Sequence, residues 1–218
     1  MSEEIIGRGV YAQSEAARLI GLPTAKLSRW VGSDARSALW RNAYRDVVEG
    51  SRELSFRDLQ QARTVWALRS AGVSLQAVRK ALVLARELIA ETTPFAHHGM
   101  KTDGRRVFLH VAEDRGEPVL IDLLDRQYAF DKVLGPVLDD VDFEEFATRW
   151  WPNGRKGRVV LDPDRSFGRP IDAETGVPTS ALAVAVDAEG SVRRAARSYE
   201  VPEAAVRHAL AFEAKLAA

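Results

Sequence analysis

The sequence predicts a mainly α-helical protein with small β elements. Near each end, a short amphipathic helix is followed by a tight turn and a proline that opens the next helix, the pattern of a helix-turn-helix. Between them, β-rich runs and turn signals alternate with helical stretches. We expect a helix-turn-helix domain at 1–92, a central α+β segment at 93–157, and a three-helix helix-turn-helix domain at 158–218.

The composition and the apolar pattern exclude several kinds of binding site and targeting signal. The chain of 218 residues is 46% hydrophobic and 28% charged, as in soluble globular proteins. Its lack of cysteine excludes disulfides, iron–sulfur clusters and the usual zinc fingers, and fits a reducing cytosol. The sequence shows neither a signal peptide nor an apolar run of the ~20 residues that a membrane span needs. We therefore expect a cytoplasmic protein.

Charge is distributed unevenly along the chain, although the net charge is zero. Residues 1–90 hold 14 Lys and Arg against 9 Asp and Glu, whereas residues 91–150 hold 7 against 13. Residues 151–218 are nearly balanced, with 10 against 9. A basic first segment can meet phosphate while an acidic middle segment cannot, which favours nucleic-acid binding by the first segment. Random variation of the surface is the alternative.

The first helix-turn-helix pattern gives specific positions. Ser14 is expected to cap the first helix, Gly21 to end it in the left-handed conformation, and Pro23 to open the second. Leu27 and Trp30 then face inward. The remaining side chains of the second helix face outward, where a recognition helix meets base edges and phosphates. These DNA-binding candidates are Thr24, Lys26, Ser28 and Arg29, with Ala25 beside them.

Two further helices are expected before residue 92. Ser55 caps the first, whose apolar stripe runs from Phe56 to Trp66 at intervals of three to four residues. Ser74 caps the second, whose stripe runs from Leu75 to Ile89. The second stripe fits a dimer seam and packing within the chain equally well.

The expected helices, taken in this order, resemble those of a known family over roughly residues 10–90. The matching segments are Ala16–Gly21, Leu27, Trp30, Phe56–Leu59 and Leu68–Leu75, and together they resemble the MerR-type winged-helix domain. The resemblance implies that the domain binds an operator. Where that family has a short Pro-rich wing with a tyrosine, this chain has arginines around Trp40 and Tyr44. Arg36, Arg41 and Arg45 are DNA-binding candidates on such a wing; the alternative is a solvated helix or loop with Trp40 in the core.

The central segment contains β-rich runs. Arg106–Val111 and Pro118–Asp122 are expected to be strands, with a hairpin turn at Thr102–Gly104. The acidic run from Asp139 to Glu145 is expected to be a solvated loop or helix face. His97 and His98 would point to opposite faces of a strand, so we expect no metal site. Trp150 and Trp151 are expected to fill the joint between modules, or else to offer a platform to a partner protein.

The last segment carries a second resemblance, over roughly residues 148–218. A strand is expected at Val159–Pro163, a helix capped by Thr179 or Ser180, a second capped by Ser191, and a third opened by Pro202. The motifs Asp162-Pro163, Ser166–Pro170, Gly176–Thr179 and Ser191–Phe212 resemble the antitoxin-associated helix-turn-helix domain of VapB-like proteins. That resemblance implies a PIN-type ribonuclease toxin as partner and repression of the shared operon.

The last helix-turn-helix has a mixed charge. Arg193, Arg194 and Arg197 lie on its first helix, whereas Glu203 opens its second and would face phosphate unfavourably. Protein contact or dimerisation is thus at least as good an interpretation as DNA binding for this module.

No catalytic motif is present: the sequence lacks a phosphate-binding glycine loop, a Gly-x-Ser-x-Gly motif and a His-Glu-x-x-His motif. We expect no enzyme, no cofactor and no catalytic residue, but a homodimeric antitoxin that represses its own operon. Arg165 and Arg169 are the candidate toxin contacts, because they suit an acidic nuclease site. The alternatives are a stand-alone transcription factor with a ligand in its central segment, and an adaptor that never contacts DNA.

Overall fold

The structure of the protein, a computed structural model, describes residues 8–32, 38–102, 107–111 and 127–217. These residues form a mainly helical fold with a small four-stranded sheet, which confirms the predicted fold class. The chain divides into two compact units, Tyr11–Ala147 and Met1–Val10 together with Thr148–Ala218. The division into three domains stays a prediction. None of the helices in the described ranges is long and apolar enough to cross a membrane.

The first unit, Tyr11–Ala147, is built around one buried helix. Its elements are α1 (Gln13–Ile20), α2 (Thr24–Trp30), a 3-10 turn (Ala43–Asp46), α3 (Phe56–Ser70), α4 (Leu75–Ile89), a 3-10 turn (Pro94–Ala96), α5 (Gly99–Thr102), α6 (Gln127–Asp139) and strand β1 (Val141–Phe143). Helix α3 contacts α1, α4, α6 and the turn at Pro94–Ala96. Because it is covered on several sides, α3 buries polar as well as apolar side chains.

Local signals set most helix ends in this unit. Ser55 and Asp58 form a capping box at the start of α3, and the Ser74 hydroxyl accepts a hydrogen bond from the Ala77 N–H at 3.1 Å. Gly21 ends α1 with φ of 66°. Those three predictions are confirmed. The cap at Ser14 is wrong: α1 already begins at Gln13, and Ser14 lies exposed in its first turn.

The start of α1 follows from a long-range contact. Tyr11 and Leu54 exchange two backbone hydrogen bonds, of 3.0 and 2.8 Å. This bridge fixes the entry of the chain, so the helix starts directly after Ala12, without a side-chain cap.

Asp58 is the polar centre of the first unit. It is fully buried, and its carboxylate accepts hydrogen bonds from the Trp40 indole N–H (3.0 Å), the Ala43 N–H (3.1 Å) and both the N–H and hydroxyl of Ser55 (3.0 and 2.8 Å). Burial raises the pKa of Asp58 above its ordinary value, and these donors oppose that rise. One carboxylate therefore caps α3 and fixes the segment that follows α2.

Arg63 is a second buried charge on α3. Its guanidinium donates to the carbonyls of Pro136 and Val137, both at 3.4 Å, in the last turn of α6. These carbonyls lack partners within a regular helix, and a cation also suits the negative end of the helix dipole. Burial lowers the pKa of Arg63 to about 9, so it remains charged at neutral pH.

The apolar stripe of α4 is used inside the chain. Val78, Leu82 and Ala85 are buried, so packing within the first unit accounts for the middle of this stripe. A dimer seam is not needed to explain it.

The structure of the central segment differs from several predictions. Residues 107–111 are helical and not a strand. Val107, Phe108 and Val111 are buried on one side, and the Phe108 ring lies 5.9 Å from that of Phe95. Tertiary packing thus overrides the β propensity of this short run. The predicted turn at 102–104 and strand at 118–122 fall wholly or partly outside the described residues. The acidic run contains strand β1, with Val141 buried and Glu144 and Glu145 exposed after it.

The second unit combines strands and three helices. Its elements are β2 (Ala147–Trp150, starting at the boundary), a 3-10 turn (Arg155–Gly157), β3 (Val159–Leu161), a 3-10 turn (Ser166–Gly168), β4 (Pro170–Asp172), α7 (Thr179–Glu189), α8 (Val192–Ser198) and α9 (Glu203–Ala217). Strand β3 pairs antiparallel with both β2 and β4. Trp150 is buried, whereas Trp151 is half-buried under the Arg155 guanidinium.

Helices α7, α8 and α9 share a small apolar core. It contains Leu182, Ala185, Ala195, Ala196, Ala205, Val206 and Ala209. The Ser191 hydroxyl caps α8 as predicted, accepting from the Arg194 N–H at 3.3 Å. The predicted cap of α7 is wrong. Thr179 is the first residue of the helix, and its hydroxyl instead bonds Glu213 of α9 and the Pro170 carbonyl.

Replacing Asp58 with Asn should destabilise the protein by about 2–3 kcal/mol, because in either orientation the amide NH₂ would face an N–H donor, that of the Trp40 indole or those of the Ala43 and Ser55 backbone, which now donates to a carboxylate oxygen. Urea unfolding followed by circular dichroism measures this loss. Glu49→Gln, at an exposed site, is the matched control and should leave the unfolding midpoint unchanged. Equal stability of both variants would contradict the central role of Asp58.

Candidate functional site

Helix α2 presents the face that the sequence predicts. Thr24, Ala25, Lys26, Ser28 and Arg29 are exposed, while Leu27 and Trp30 are buried beneath them. The Ser28 hydroxyl donates to the Gln13 side chain at 2.7 Å, so it also ties α2 to α1. DNA contact by these residues stays a prediction.

A cleft of about 480 Å³ lies beside α2. Its lining is basic and aromatic: Lys26, Arg29, Trp30, Trp66, Arg69, Ser70, Leu75 and Arg79. The Lys26 ammonium lies 5.1 Å above the Trp66 ring, and the Trp30 ring lies 6.4 Å from that of Trp66. A cation over an indole face is held electrostatically, so Lys26 is oriented before any ligand arrives.

A second cleft, of about 560 Å³, shares Arg79 with the first. Four arginines contribute to its lining: Arg41, Arg45, Arg79 and Arg86. Arg79 donates to the Ala38 carbonyl at 2.9 Å, and Arg86 donates to the Leu39 carbonyl at 3.2 Å. Partial burial lowers the pKa of Arg86.

The segment after α2 places Trp40 in the core, as the second interpretation expects, and phosphate contact by its arginines stays a prediction. Trp40 is buried and bonded to Asp58, while Arg41 is exposed and Arg45 half-buried at the cleft. Arg36 lies outside the described residues.

We call the cations of these two clefts the basic face: Lys26, Arg29, Arg41, Arg45, Arg69, Arg79 and Arg86. Neither lining, among the residues that the structure describes, includes a carboxylate. Such an arrangement attracts a polyanion and can position its phosphates beside an exposed helix.

Sequence reasoning missed Arg69, Arg79 and Arg86. The spacing of Arg79 and Arg86, seven residues apart on α4, places them on one side of that helix and was an available signal. Arg69 joins them only through the packing of α3 against α4, which no local pattern reveals.

In the second unit, the loop between β3 and β4 carries both predicted toxin contacts. Arg165 and Arg169 are exposed. The Arg165 guanidinium donates to the Ala173 carbonyl at 3.3 Å and lies against Gly176, so it bridges two loops. Toxin contact by the two arginines stays a prediction.

Phe167, between these arginines, is a residue that sequence reasoning missed. The residue is 66% exposed. It has φ of 56° and ψ of 28°, and the preceding Ser166 has φ of 49°. A left-handed conformation costs a non-glycine residue roughly 1–2 kcal/mol. The only sequence signal was an aromatic residue inside a loop rich in glycine and proline.

Buried carboxylates hold the loops around Phe167. Asp162 pairs with Arg149 at 3.1 Å and accepts the Asp164 N–H at 3.1 Å. Asp172 accepts the N–H and hydroxyl of Thr175, both at 2.9 Å. Both carboxylates are nearly inaccessible to solvent, so their bonds are well protected.

The helix-turn-helix of the second unit has a mixed surface. Arg193, Arg194 and Arg197 are exposed, but Glu189 lies 3.7 Å from Arg194 and Glu203 pairs with Arg207. This surface offers a phosphate backbone less uniform charge than the basic face does.

His97 and His98 do not lie in a regular strand. They follow the turn at Pro94–Ala96, and their rings lie 5.1 Å apart. Among the described residues, no three side chains of His, Cys, Asp or Glu are grouped as a metal site requires.

The chain is similar to an antitoxin. It is 27% identical over 227 residues to a protein of Mycobacterium tuberculosis (strain H37Rv) that bears the name "Putative antitoxin VapB45", with 92% of each chain covered. The crystal structure of Rv2018 from Mycobacterium tuberculosis matches with a TM-score of 0.73 and 27% identity, covering 92% of this chain and 96% of that one. No protein-family model matches the chain. Because the similarity runs along nearly the whole of both chains, it supports an antitoxin family.

The contact between Arg165 and Gly176 can be tested by a matched pair of substitutions. Gly176 and Gly190 have φ of +74° and +72°, but an added Cβ would lie 2.6 Å from the Arg165 guanidinium only at Gly176. We expect Gly190→Ala to lower the unfolding free energy by about 1–2 kcal/mol through backbone strain alone. Gly176→Ala should cost about 0.5–1 kcal/mol more, because Arg165 loses its bond to Ala173.

Urea unfolding of both variants, with and without Arg165→Ala, separates the two effects. The extra cost at Gly176 should disappear when Arg165 is already Ala. An extra cost that persists in the double variant would contradict this packing.

Proposed function

We propose that the chain is an antitoxin that neutralises a PIN-type ribonuclease toxin and represses its own operon. The observation that carries the antitoxin role is the full-length similarity to the Mycobacterium tuberculosis protein. The finer statements, that the toxin is of the PIN type and that the operon is repressed, extend the resemblance of the helix-turn-helix segments. In this proposal the chain is a cytoplasmic homodimer without catalytic activity.

DNA binding is assigned to the basic face of the first unit. Helix α2 enters the major groove with Lys26 and Arg29 toward base edges, while Arg41, Arg45 and Arg79 contact the sugar-phosphate backbone. Bound at the promoter, the dimer excludes RNA polymerase sterically.

Replacing Lys26 or Arg29 with Ala should weaken operator binding. Loss of a bidentate base contact costs about 1–3 kcal/mol of binding free energy and depends on the DNA sequence. Loss of a phosphate contact instead lowers the salt slope, the steepness with which log affinity falls against log salt concentration, by about one. Fluorescence anisotropy with the upstream region of the gene, over a range of salt concentrations, measures both quantities.

Lys156→Ala is the matched control for charge, because Lys156 is an exposed cation of the second unit. It should leave both the affinity and the salt slope unchanged. If neither Lys26→Ala nor Arg29→Ala lowered affinity, helix α2 would not be the recognition helix.

Toxin binding is assigned to the loop between β3 and β4. The resemblance to VapB-like proteins implies an acidic, metal-dependent nuclease as partner, and Arg165 and Arg169 offer it two exposed guanidinium groups. On the α8–α9 surface, Arg194 and Arg207 already lie against Glu189 and Glu203, so their guanidinium groups are less available to carboxylates of the toxin.

Growth of cells that express the neighbouring reading frame tests both the function and the loop. We expect the neighbour alone to stop growth, wild-type chain to restore it, and Arg165→Ala with Arg169→Ala to restore it poorly. Arg193→Ala with Arg197→Ala is the control with equal loss of charge. A harmless neighbour would refute the antitoxin function, whereas full rescue by the Arg165 and Arg169 variant would refute only the contact.

A further inference from the structure

We propose that Phe167 is the aromatic anchor by which the chain docks on its toxin. Its ring enters an apolar pocket of the partner, and Arg165 and Arg169 pair with carboxylates at the rim of that pocket. This inference rests on the proposed antitoxin function and names the side chain and the chemistry of the contact.

Exposure distinguishes Phe167 from other phenylalanines of the chain. Phe95, Phe108 and Phe212 are at most 2% exposed, whereas Phe167 is 66% exposed. Exposing an aromatic ring to water forgoes the gain from burial. Aromatic and arginine side chains together make up the residues that contribute most to binding energy at protein interfaces.

The backbone of the loop holds the ring outward in a conformation that favours glycine. Phe167 and Ser166 have positive φ, and Gly168 follows with φ of 81°. Three backbone bonds fix this shape: Val10 N–H to Phe167 C=O (3.0 Å), Gly168 N–H to Arg165 C=O (2.9 Å) and Arg169 N–H to Ser166 C=O (3.1 Å). A bulky side chain at a glycine-like position, on a loop that is already ordered, lowers the entropy cost of binding.

The charges around the loop favour a protein partner over DNA. Asp164 is exposed directly before Arg165. Glu174, on the adjoining loop between β4 and α7, is also exposed and pairs with Arg158. A phosphate backbone would meet these carboxylates as well as the arginines. A protein surface can match both signs of charge, as interface rims do.

Phe167→Gly removes the ring and suits the observed backbone. Because glycine adopts the left-handed conformation readily, the melting temperature should stay the same or rise. Binding to the purified product of the neighbouring gene, measured by calorimetry, should weaken by about 30-fold or more. Phe167→Leu, which keeps an apolar side chain, should bind more tightly than Phe167→Gly.

Tyr199→Ser is the matched control, because Tyr199 is another exposed aromatic residue of the second unit. It should bind as wild type does. Affinity of Phe167→Gly within about threefold of wild type, or an equal loss in Tyr199→Ser, would overturn the proposal.

Other occupants of the loop give different results, and each would overturn the proposal. Loss of operator affinity in Phe167→Gly, with toxin affinity intact, would assign the loop to DNA. Conversion of a dimer to a monomer, seen by light scattering, with toxin affinity intact, would assign it to a second copy of the chain. If wild-type chain did not bind the neighbour's product, the proposed function itself would fail, and this inference with it.

Discussion

The buried carboxylate of Asp58 is the interaction on which the first unit depends. It accepts donors from the start of α3 and from the segment after α2, which are separated along the chain. A carboxylate taken out of water is costly unless it is fully bonded, so each of these donors offsets part of the cost of burying Asp58. Together these bonds form a cluster that fixes Trp40 and, beside it, the backbone from which Arg41 and Arg45 extend.

Two arginines of the basic face contact the segment that leads into this cluster. Arg79 and Arg86 donate to the carbonyls of Ala38 and Leu39, just before Trp40. These bonds orient the two guanidinium groups, and a cation that is already oriented loses less entropy on binding an anion.

The second unit uses the same principle on a smaller scale. Asp162 and Asp172 are buried at the bases of two loops, and each accepts backbone N–H groups from the residues that follow it. The loop tips are then rigid enough to hold Phe167 in a left-handed conformation. In both units a buried carboxylate organises a loop whose exposed tip carries cations.

Local signals made part of this architecture predictable. The caps at Ser55, Ser74 and Ser191 depend on a few neighbouring residues, and the outward face of α2 follows from helical spacing. The helix at 107–111 was mistaken for a strand because a short apolar run carries no clear period.

Contacts between residues far apart in the sequence could not be predicted from local patterns. The true start of α1 depends on a bridge between Tyr11 and Leu54, and the bond from Thr179 to Glu213 spans 34 residues. Arg69 reaches the candidate site only through helix packing. The exposure of Phe167 depends on a backbone conformation that the residue itself disfavours.

Zero net charge is compatible with two surfaces that recognise different partners. At physiological ionic strength, charges are screened over about 8 Å, so a ligand responds to nearby groups and hardly to the chain's total. The basic face offers cations without a carboxylate among its described lining residues, which suits a uniform polyanion. The Phe167 loop offers mixed charge around an apolar ring, which suits a protein. Because each surface lies within one compact unit, substitutions on one should leave the binding proposed for the other intact, so the two proposed contacts can be tested separately.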